Sequence, residues 1–328
     1  MMNLLVTGGA GYIGSATTAE LIAAGHTVTV FDNLSRGYRV AVPREATFVH
    51  GDIADRTALA EVFASQKFDA VLHFAALIEA GESMKDPGLF FRHNVAYSNN
   101  VIEAAARAGC LKFVLSSTAA IFAASDEPLT ENSTIAPVNT YGETKLMIET
   151  MLKWYGQIHG LRYACLRYFN AAGATPNRGE AHNPESHLIP RVLRVALSQA
   201  ESATIFGADY PTPDGTCIRD YILIVDLAQA HVLAVEALSE KPVLIYNLGN
   251  GQGYSVREVI ETARAVTGHP IPVVEQPRRP GDAPRLVASS EKIRRELGWT
   301  PRHPSLKEII ASAWEWHKSH PSGYDALA

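Results

Sequence analysis

Short apolar runs set the plan of this chain, and longer stretches of helical character separate them. The runs at 3–6, 27–31, 47–50, 70–74 and 112–115 have the length of buried strands. Helical segments fall between them, from Tyr12 to Ala24, at 55–66 and at 94–108. Strands alternating with helices at this spacing predict an α/β fold, a Rossmann-type doubly wound parallel sheet with helices on both faces. Ligands of such a sheet lie at the carboxyl ends of its strands.

The turn after the first strand reads Thr7-Gly8-Gly9-Ala10-Gly11-Tyr12-Ile13-Gly14, and its glycines satisfy both G-x-G-x-x-G and G-x-x-G-x-x-G. Missing Cβ atoms let the backbone turn sharply, approach a pyrophosphate and seat the helix on the strand. Free amides at the helix start attract the anion. The second strand ends at Asp32, followed by the polar turn Asn33-Leu34-Ser35-Arg36-Gly37. An acidic side chain there accepts from a ribose 2′-hydroxyl and repels a 2′-phosphate, which favours NAD over NADP; Arg36, as a nearby arginine, is the residue that would accommodate that phosphate. The third strand runs into Gly51-Asp52-Ile53 and the fourth into Phe74-Ala75-Ala76, so Asp52 and 74–76 point toward the same crevice.

The fifth strand ends in Ser116-Ser117-Thr118, and after a polar loop Tyr141-Gly142-Glu143-Thr144-Lys145 opens a helix to His159. Tyr141 and Lys145 sit one turn apart on one helix face. An ammonium beside a phenol favours phenolate, the form in which tyrosine acts as a base near neutral pH. Past Asn170 the pattern shifts to loops and shorter elements, predicting a smaller C-terminal α/β lobe that binds substrate. Helices are expected at 188–200 and 226–239, and Ser255 with Glu258 and Ser305 with Glu308 have capping-box spacing.

Composition narrows the function. With 328 residues and 47% hydrophobic content the chain builds a large core, while a net charge of −5 with interspersed signs offers no basic tract for nucleic acid. No apolar run reaches membrane-spanning length, and the N-terminus enters a strand directly, so a cytosolic protein acting on a small molecule is expected. Cys110, Cys165 and Cys217 are odd in number and far apart, as expected of free thiols. His50, His73, His93 and His182 match no zinc spacing, and no metal is expected.

On these motifs the chain resembles the extended short-chain dehydrogenases/reductases, and within them the UDP-glucose 4-epimerase family. The matching residues run nearly the full length. They include 7–14, Asp32-Asn33-Leu34, His73 to Ala76, Gly81-Glu82-Ser83, Asn94-Val95, Ser116 to Thr118, Tyr141 to Lys145 and Leu166 to Asn170. Beyond them come 206–212, 214–216, 219–221, 246–249 and 278–282, a set more specific to nucleotide-sugar epimerases. The resemblance implies residues 1–170 as the NAD-binding domain, with a return of 225–250 to it, and 171–328 as the nucleotide-sugar lobe. It implies NAD held by Gly8, Gly11, Tyr12, Ile13, Gly14, Asp32, Asn33, Ser35, Asp52, Ile53, Phe74, Ala75, Ala76, Asn94, Ser116, Tyr141, Lys145 and Tyr168. A UDP-sugar would meet Thr118, Tyr141, Asn170, His187, Leu188, Phe206, Arg219, Tyr221, Arg279, Asp282 and Leu286.

The implied chemistry is oxidation at sugar C4 with Tyr141 as base and Thr118 and Lys145 assisting, rotation of the 4-keto sugar, and re-reduction by the same cofactor. A homodimer built on the helices near 94–108 and 141–159 is implied as well. Related 4,6-dehydratases carry Asp-Glu directly after the threonine, whereas Ala119-Ala120 follow Thr118 here and transfer no protons, which disfavours elimination. A simple dehydrogenase would need exchangeable cofactor, and a non-catalytic NAD-binding protein would not need Thr118, Tyr141 and Lys145 together. Some members place lysine at Ile78, asparagine at His187, and a bulky tyrosine at Leu286. The leucine leaves room for N-acetylated sugars, and UDP-pentoses stay open too.

Overall fold

Side-chain alternation along the first strand sorts the core of the protein, whose computed structural model describes residues 1–279 and 281–324. In β1 (Asn3–Thr7) Leu4 and Val6 join one apolar cluster and Leu5 another on the opposite face of the sheet. The same sorting repeats along β2 (Thr27–Asp32), β3 (Thr47–His50), β4 (Ala70–His73), β5 (Lys112–Thr118) and β6 (Arg162–Tyr168). Burial on both faces explains why these strands read as continuous apolar runs.

The strands form one parallel sheet in the order β3-β2-β1-β4-β5-β6, and the strand Val243–Leu248 adds to the outside of β6 as the seventh. Helices Tyr12–Ala23 and Ile224–Ala237 pack together on one face. Arg56–Ser65, Tyr97–Arg107 and Thr140–His159 cover the other through Leu59, Phe63, Val101, Ile102, Ile148 and Leu152. The strand order reverses between β1 and β4, so the loops leaving these two strands diverge and open a crevice. The α/β doubly wound sheet predicted from the alternation is thus the observed one.

The C-terminal lobe has its own core, in which Ile189, Val192 and Leu193 of helix Leu188–Ala196 meet Val259 and Ile260 of Val256–Thr267 and Ile309, Ile310 and Trp314 of Leu306–Ser319. The first of these helices stops at 196, short of the expected 200, and Ser198 beyond it turns to φ 60°. The expected helix at 94–108 begins instead as a π-helical turn over Phe91–Ala96. Of the two capping boxes only the first forms. Ser255 Oγ accepts from Glu258 N at 3.0 Å and Glu258 Oε2 accepts from Ser255 N at 2.7 Å. Ser305 makes no capping bond with its side chain, and Glu308 turns toward His303, 3.8 Å away. Ser255→Ala is expected to cost about 1–2 kcal/mol, read as a lower urea midpoint at unchanged slope.

Candidate active site

The crevice at the strand reversal is built on the glycine turn. Gly8 holds φ 74°, and a Cβ there would lie 2.4 Å from Ala75 N; one on Gly14 would lie 2.2 Å from Gly8 O. Only glycine lets the turn nest against the end of β4 and the helix start against the turn. Helix Tyr12–Ala23 begins without a side-chain cap and without an acidic residue in its first turn. Its amide end and positive dipole therefore face the crevice, where Gly11, Tyr12, Ile13 and Gly14 form the wall.

Asp32 is pinned by two backbone amides, Ala10 N to Oδ2 at 3.0 Å and Leu34 N to Oδ1 at 2.8 Å. Burial raises its carboxyl above the usual range, and these two bonds oppose the rise. Asn33 donates to Asp52 at 2.7 Å, so the ends of β2 and β3 are tied together beneath Ser35. Arg36 is committed elsewhere: it donates to the Asn183 carbonyl at 2.6 Å and lies 3.5 Å from Glu79. An aspartate facing the crevice with its nearby arginine engaged fits NAD better than NADP. Phe74, Ala75 and Ala76 line the opposite wall, with Phe74 N and Ala75 N both donating to Thr7 O.

Farther in, Ser116, Thr118, Tyr141, Tyr168 and Asn170 share the same crevice. Tyr141 stands in the first turn of helix Thr140–His159, whose N-cap Asn139 accepts from Gly142 N at 2.9 Å. Its backbone N–H donates to buried Ser83 Oγ at 3.1 Å, which fixes the helix start. Lys145, one turn on and 1% exposed, donates to the Ser116 carbonyl at 2.8 Å. Burial pushes the Tyr141 phenol up to about 12 against a hydrogen bond from Thr118. The same burial draws Lys145 down to about 7. The sequence pattern pointed to a phenol lowered by Lys145; in the structure desolvation dominates both groups, and only Thr118 works on the phenol in the lowering direction.

Asn94 is buried behind the crevice. Its side chain accepts from Leu77 N at 2.8 Å and donates to Leu77 O at 3.0 Å and Thr144 Oγ1 at 3.1 Å, so it braces the loop after β4 against the helix of Tyr141. Single π-helical turns are frequent at functional sites, and here one delivers this side chain inward.

A second group of expected residues gathers in the lobe. Arg219 reaches Asp282 at 3.5 Å and the Ala283 carbonyl at 2.7 Å; Arg279 donates to Asp282 at 2.9 Å and its guanidinium stacks over Phe206 at 4.8 Å. Leu286 pairs with Arg219 across two short strands and packs against a cluster that includes Phe122 and Leu129. Tyr221 is buried in the lobe core, and Leu188 opens the helix after His187. This group connects to the crevice through Asn170, whose N–H donates to the Asp220 carbonyl at 2.9 Å. His187 lies on the crevice wall with Glu180 and His182. Burial opposes the charge on His187, and the Glu180 carboxylate outweighs it, holding the imidazole well above its usual range.

Several side chains of this site escaped the sequence reading. Glu79 and Glu180 line the crevice. Behind it Glu149 and Arg167 form a buried ion pair bonded at 3.0 and 2.6 Å. A charge on the buried face of a helix was the available signal, since Glu149 follows Lys145 by one turn.

A doubly wound sheet, a glycine turn at its switch point, and a Tyr-x-x-x-Lys pair beside a strand-end Ser/Thr cluster define the extended short-chain dehydrogenase/reductase class. Comparison with known proteins agrees. The model of the NAD dependent epimerase/dehydratase family matches residues 4–249. A UDP-glucose 4-epimerase of Halalkalibacterium halodurans is 51% identical over 327 residues, covering 98% of each chain. Among solved structures a UDP-glucose 4-epimerase is 47% identical with a TM-score of 0.95, covering 98% of this chain and 99% of that one. The UDP-glucose 4-epimerase of Bifidobacterium longum in complex with NAD+ and UDP is 35% identical with a TM-score of 0.94, again covering 98% and 99%. The chain belongs to the NAD dependent epimerase/dehydratase family, and within it groups with the UDP-glucose 4-epimerases.

Proposed function

We propose that the chain interconverts UDP-glucose and UDP-galactose at sugar C4, using NAD that stays in the crevice. The observation that carries this reading is Thr118 and Tyr141 side by side on the wall of the dinucleotide crevice, where Thr118 works on the phenol in the lowering direction. NAD, when bound, supplies the redox capacity at C4 and a positive charge within the crevice. Gly8 to Gly14, Asp32, Asn33, Ser35, Asp52, Ile53, Phe74 to Ala76, Ser116 and Tyr168 would hold it, with Asn94 and Lys145 bracing from behind. Tyr141 accepts the proton of the 4-hydroxyl and returns it to the carbonyl oxygen once the keto sugar has presented its opposite face, while Thr118 orients the phenol. Arg219 and Arg279 bind the diphosphate as planar donors, Asp282 the ribose and Phe206 the uracil, with Asn170, His187, Leu188 and Tyr221 completing the surroundings. Anchoring by the nucleotide leaves the keto sugar free to turn over.

The test is incubation of purified protein with UDP-galactose and no added cofactor, followed by NMR. UDP-glucose is expected to accumulate to a fixed ratio; net NADH release instead would make the chain a dehydrogenase. A leucine at 286, where some family members carry a bulky tyrosine, favours room for an N-acetyl group, so UDP-GalNAc is expected to turn over as a second substrate in the same assay. Arg219→Met should raise KM for UDP-galactose roughly tenfold or more at little-changed kcat, because it removes charge-assisted bonds made equally before and during the reaction.

We further propose the division into 1–170 with 225–250 and the remaining lobe, a homodimer, and a cytoplasmic location. Met147, Trp154 and Ile158, exposed by 40%, 56% and 67%, follow one stripe of helix Thr140–His159 and support the dimer. Light scattering is expected to give a dimer that Trp154→Glu splits. Three free, buried cysteines support the location, and no helix of the described residues is long and apolar enough to cross a membrane.

A further inference from the structure

The loop entering helix Leu188–Ala196 brings together four side chains that the histidine spacings did not connect. Glu180, His182, Glu185 and His187 each offer one ligand atom, and these atoms lie within 4.8 Å of one another. Both imidazoles present Nδ1 to the carboxylates. His187 lies 2.7 Å from Glu180 and 3.0 Å from Glu185; His182 lies 3.1 Å from Glu180 and 4.0 Å from Glu185. The Glu185 side chain is 1% exposed, and its Oε2, the oxygen nearer His182, is buried without a hydrogen-bond partner among the described residues. A buried carboxylate oxygen directed at imidazole nitrogens and left unmatched is a vacant ligand position rather than a solvated charge.

We infer that these four residues form a divalent-cation site on the crevice wall, of the kind filled by zinc. Once His187 yields its proton to the incoming ion, two carboxylates and two imidazoles carry a charge of −2, which a dication cancels. Mixed nitrogen and oxygen donors suit zinc, whereas magnesium and calcium take oxygen ligands almost alone. A tetrahedral ion with bonds of about 2.0–2.1 Å spaces its ligands by about 3.3 Å. Three of the four nitrogen–oxygen separations, at 2.7–3.1 Å, fall slightly inside that spacing and the fourth, at 4.0 Å, outside it. Modest side-chain shifts therefore admit the ion.

The ring of His182 stands edge-on to Tyr12, with centroids 6.2 Å apart, in the first turn of the helix at the crevice. A cation here holds together the loop that carries His187, beside the dinucleotide end of the crevice. It takes no part in the proton transfer at Tyr141.

Protein stripped with a chelator and dialysed against zinc is the material for the test. Elemental analysis is expected to find one zinc per chain, and zinc, but not magnesium at the same concentration, is expected to raise the melting temperature. The double variant His182→Ala/Glu185→Gln should bind zinc at least about tenfold more weakly, while His303→Ala keeps it. Melting of both variants in chelator checks that they fold; if the double variant does not, His182→Asn carries the same expectation. Wild-type protein that retains no zinc, or variants that retain as much as wild type, overturn the site. None of these readouts uses turnover, so they stand apart from the substrate assay.

Discussion

Tyr141→Phe is expected to lower kcat for UDP-galactose by about 10³-fold, within the range that a positioned acid–base group contributes. The phenol lines the crevice beside Thr118, which favours its ionisation, and the nearest base-like alternative, Lys145, is turned away toward the Ser116 carbonyl. The other phenol of the inner crevice, Tyr168, is tied up in a hydrogen bond with Ser116. A pH profile separates this role from a packing role. Burial holds the phenol at about 12, so the ionised fraction, and with it the wild-type rate, should climb as pH rises from 6 to 9. Phenylalanine has no proton to lose, and the residual rate should show no such limb. Cofactor content measured after denaturation should match wild type. A variant that keeps a tenth of the activity would remove Tyr141 from the reaction.

Arg167→Met should destabilise the fold by about 3–5 kcal/mol, the usual consequence of removing one member of a buried pair. Arg167 and Glu149 are 4% and 7% exposed. The guanidinium spans both carboxylate oxygens at 3.0 and 2.6 Å, and Ser117 Oγ adds a donor to the same carboxylate at 2.5 Å. It also reaches the Glu131 carbonyl at 3.3 Å and stacks over Phe122 at 5.3 Å. Methionine strands the Glu149 charge in a dry setting, and one serine hydroxyl cannot replace the water it lost. Converting Glu149 to methionine as well should restore most of the stability, since a hydrophobic pair of similar volume substitutes for a buried ion pair at little loss. Chemical denaturation of the single and double variants decides it: a double variant no more stable than the single one would mean that packing, not charge, sets the loss.

Local periodicity carried the nucleotide half of the fold because each of its devices is local. The glycine turn, Asp32 at the end of β2, and Tyr141 with Lys145 one turn apart are all encoded within a few residues. Contacts between distant segments left weaker traces. Glu149 meets Arg167 across a helix and a strand, and Asn94 reaches Leu77 and Thr144 through a π-helical turn that no propensity announces. The cluster of Glu180, His182, Glu185 and His187 matches no zinc spacing because a loop, not a helix face, gathers it. Ser305 had the spacing of a cap, but spacing fixes only reach; Glu308 found His303 instead. For Tyr141, four-residue proximity to an ammonium was visible and the depth of burial was not.

The seventh strand also has a consequence for how the chain is made. Residues 243–248 close the sheet beside β6, so synthesis must pass residue 248 of 328, roughly three-quarters of the way, before that edge is paired. Until then β6 presents a row of free N–H and C=O groups along an apolar strand, the arrangement most prone to intermolecular pairing. A nascent chain paused in this interval is a client for chaperones, and a gene fragment ending near residue 170 would yield aggregate rather than a free-standing nucleotide-binding module.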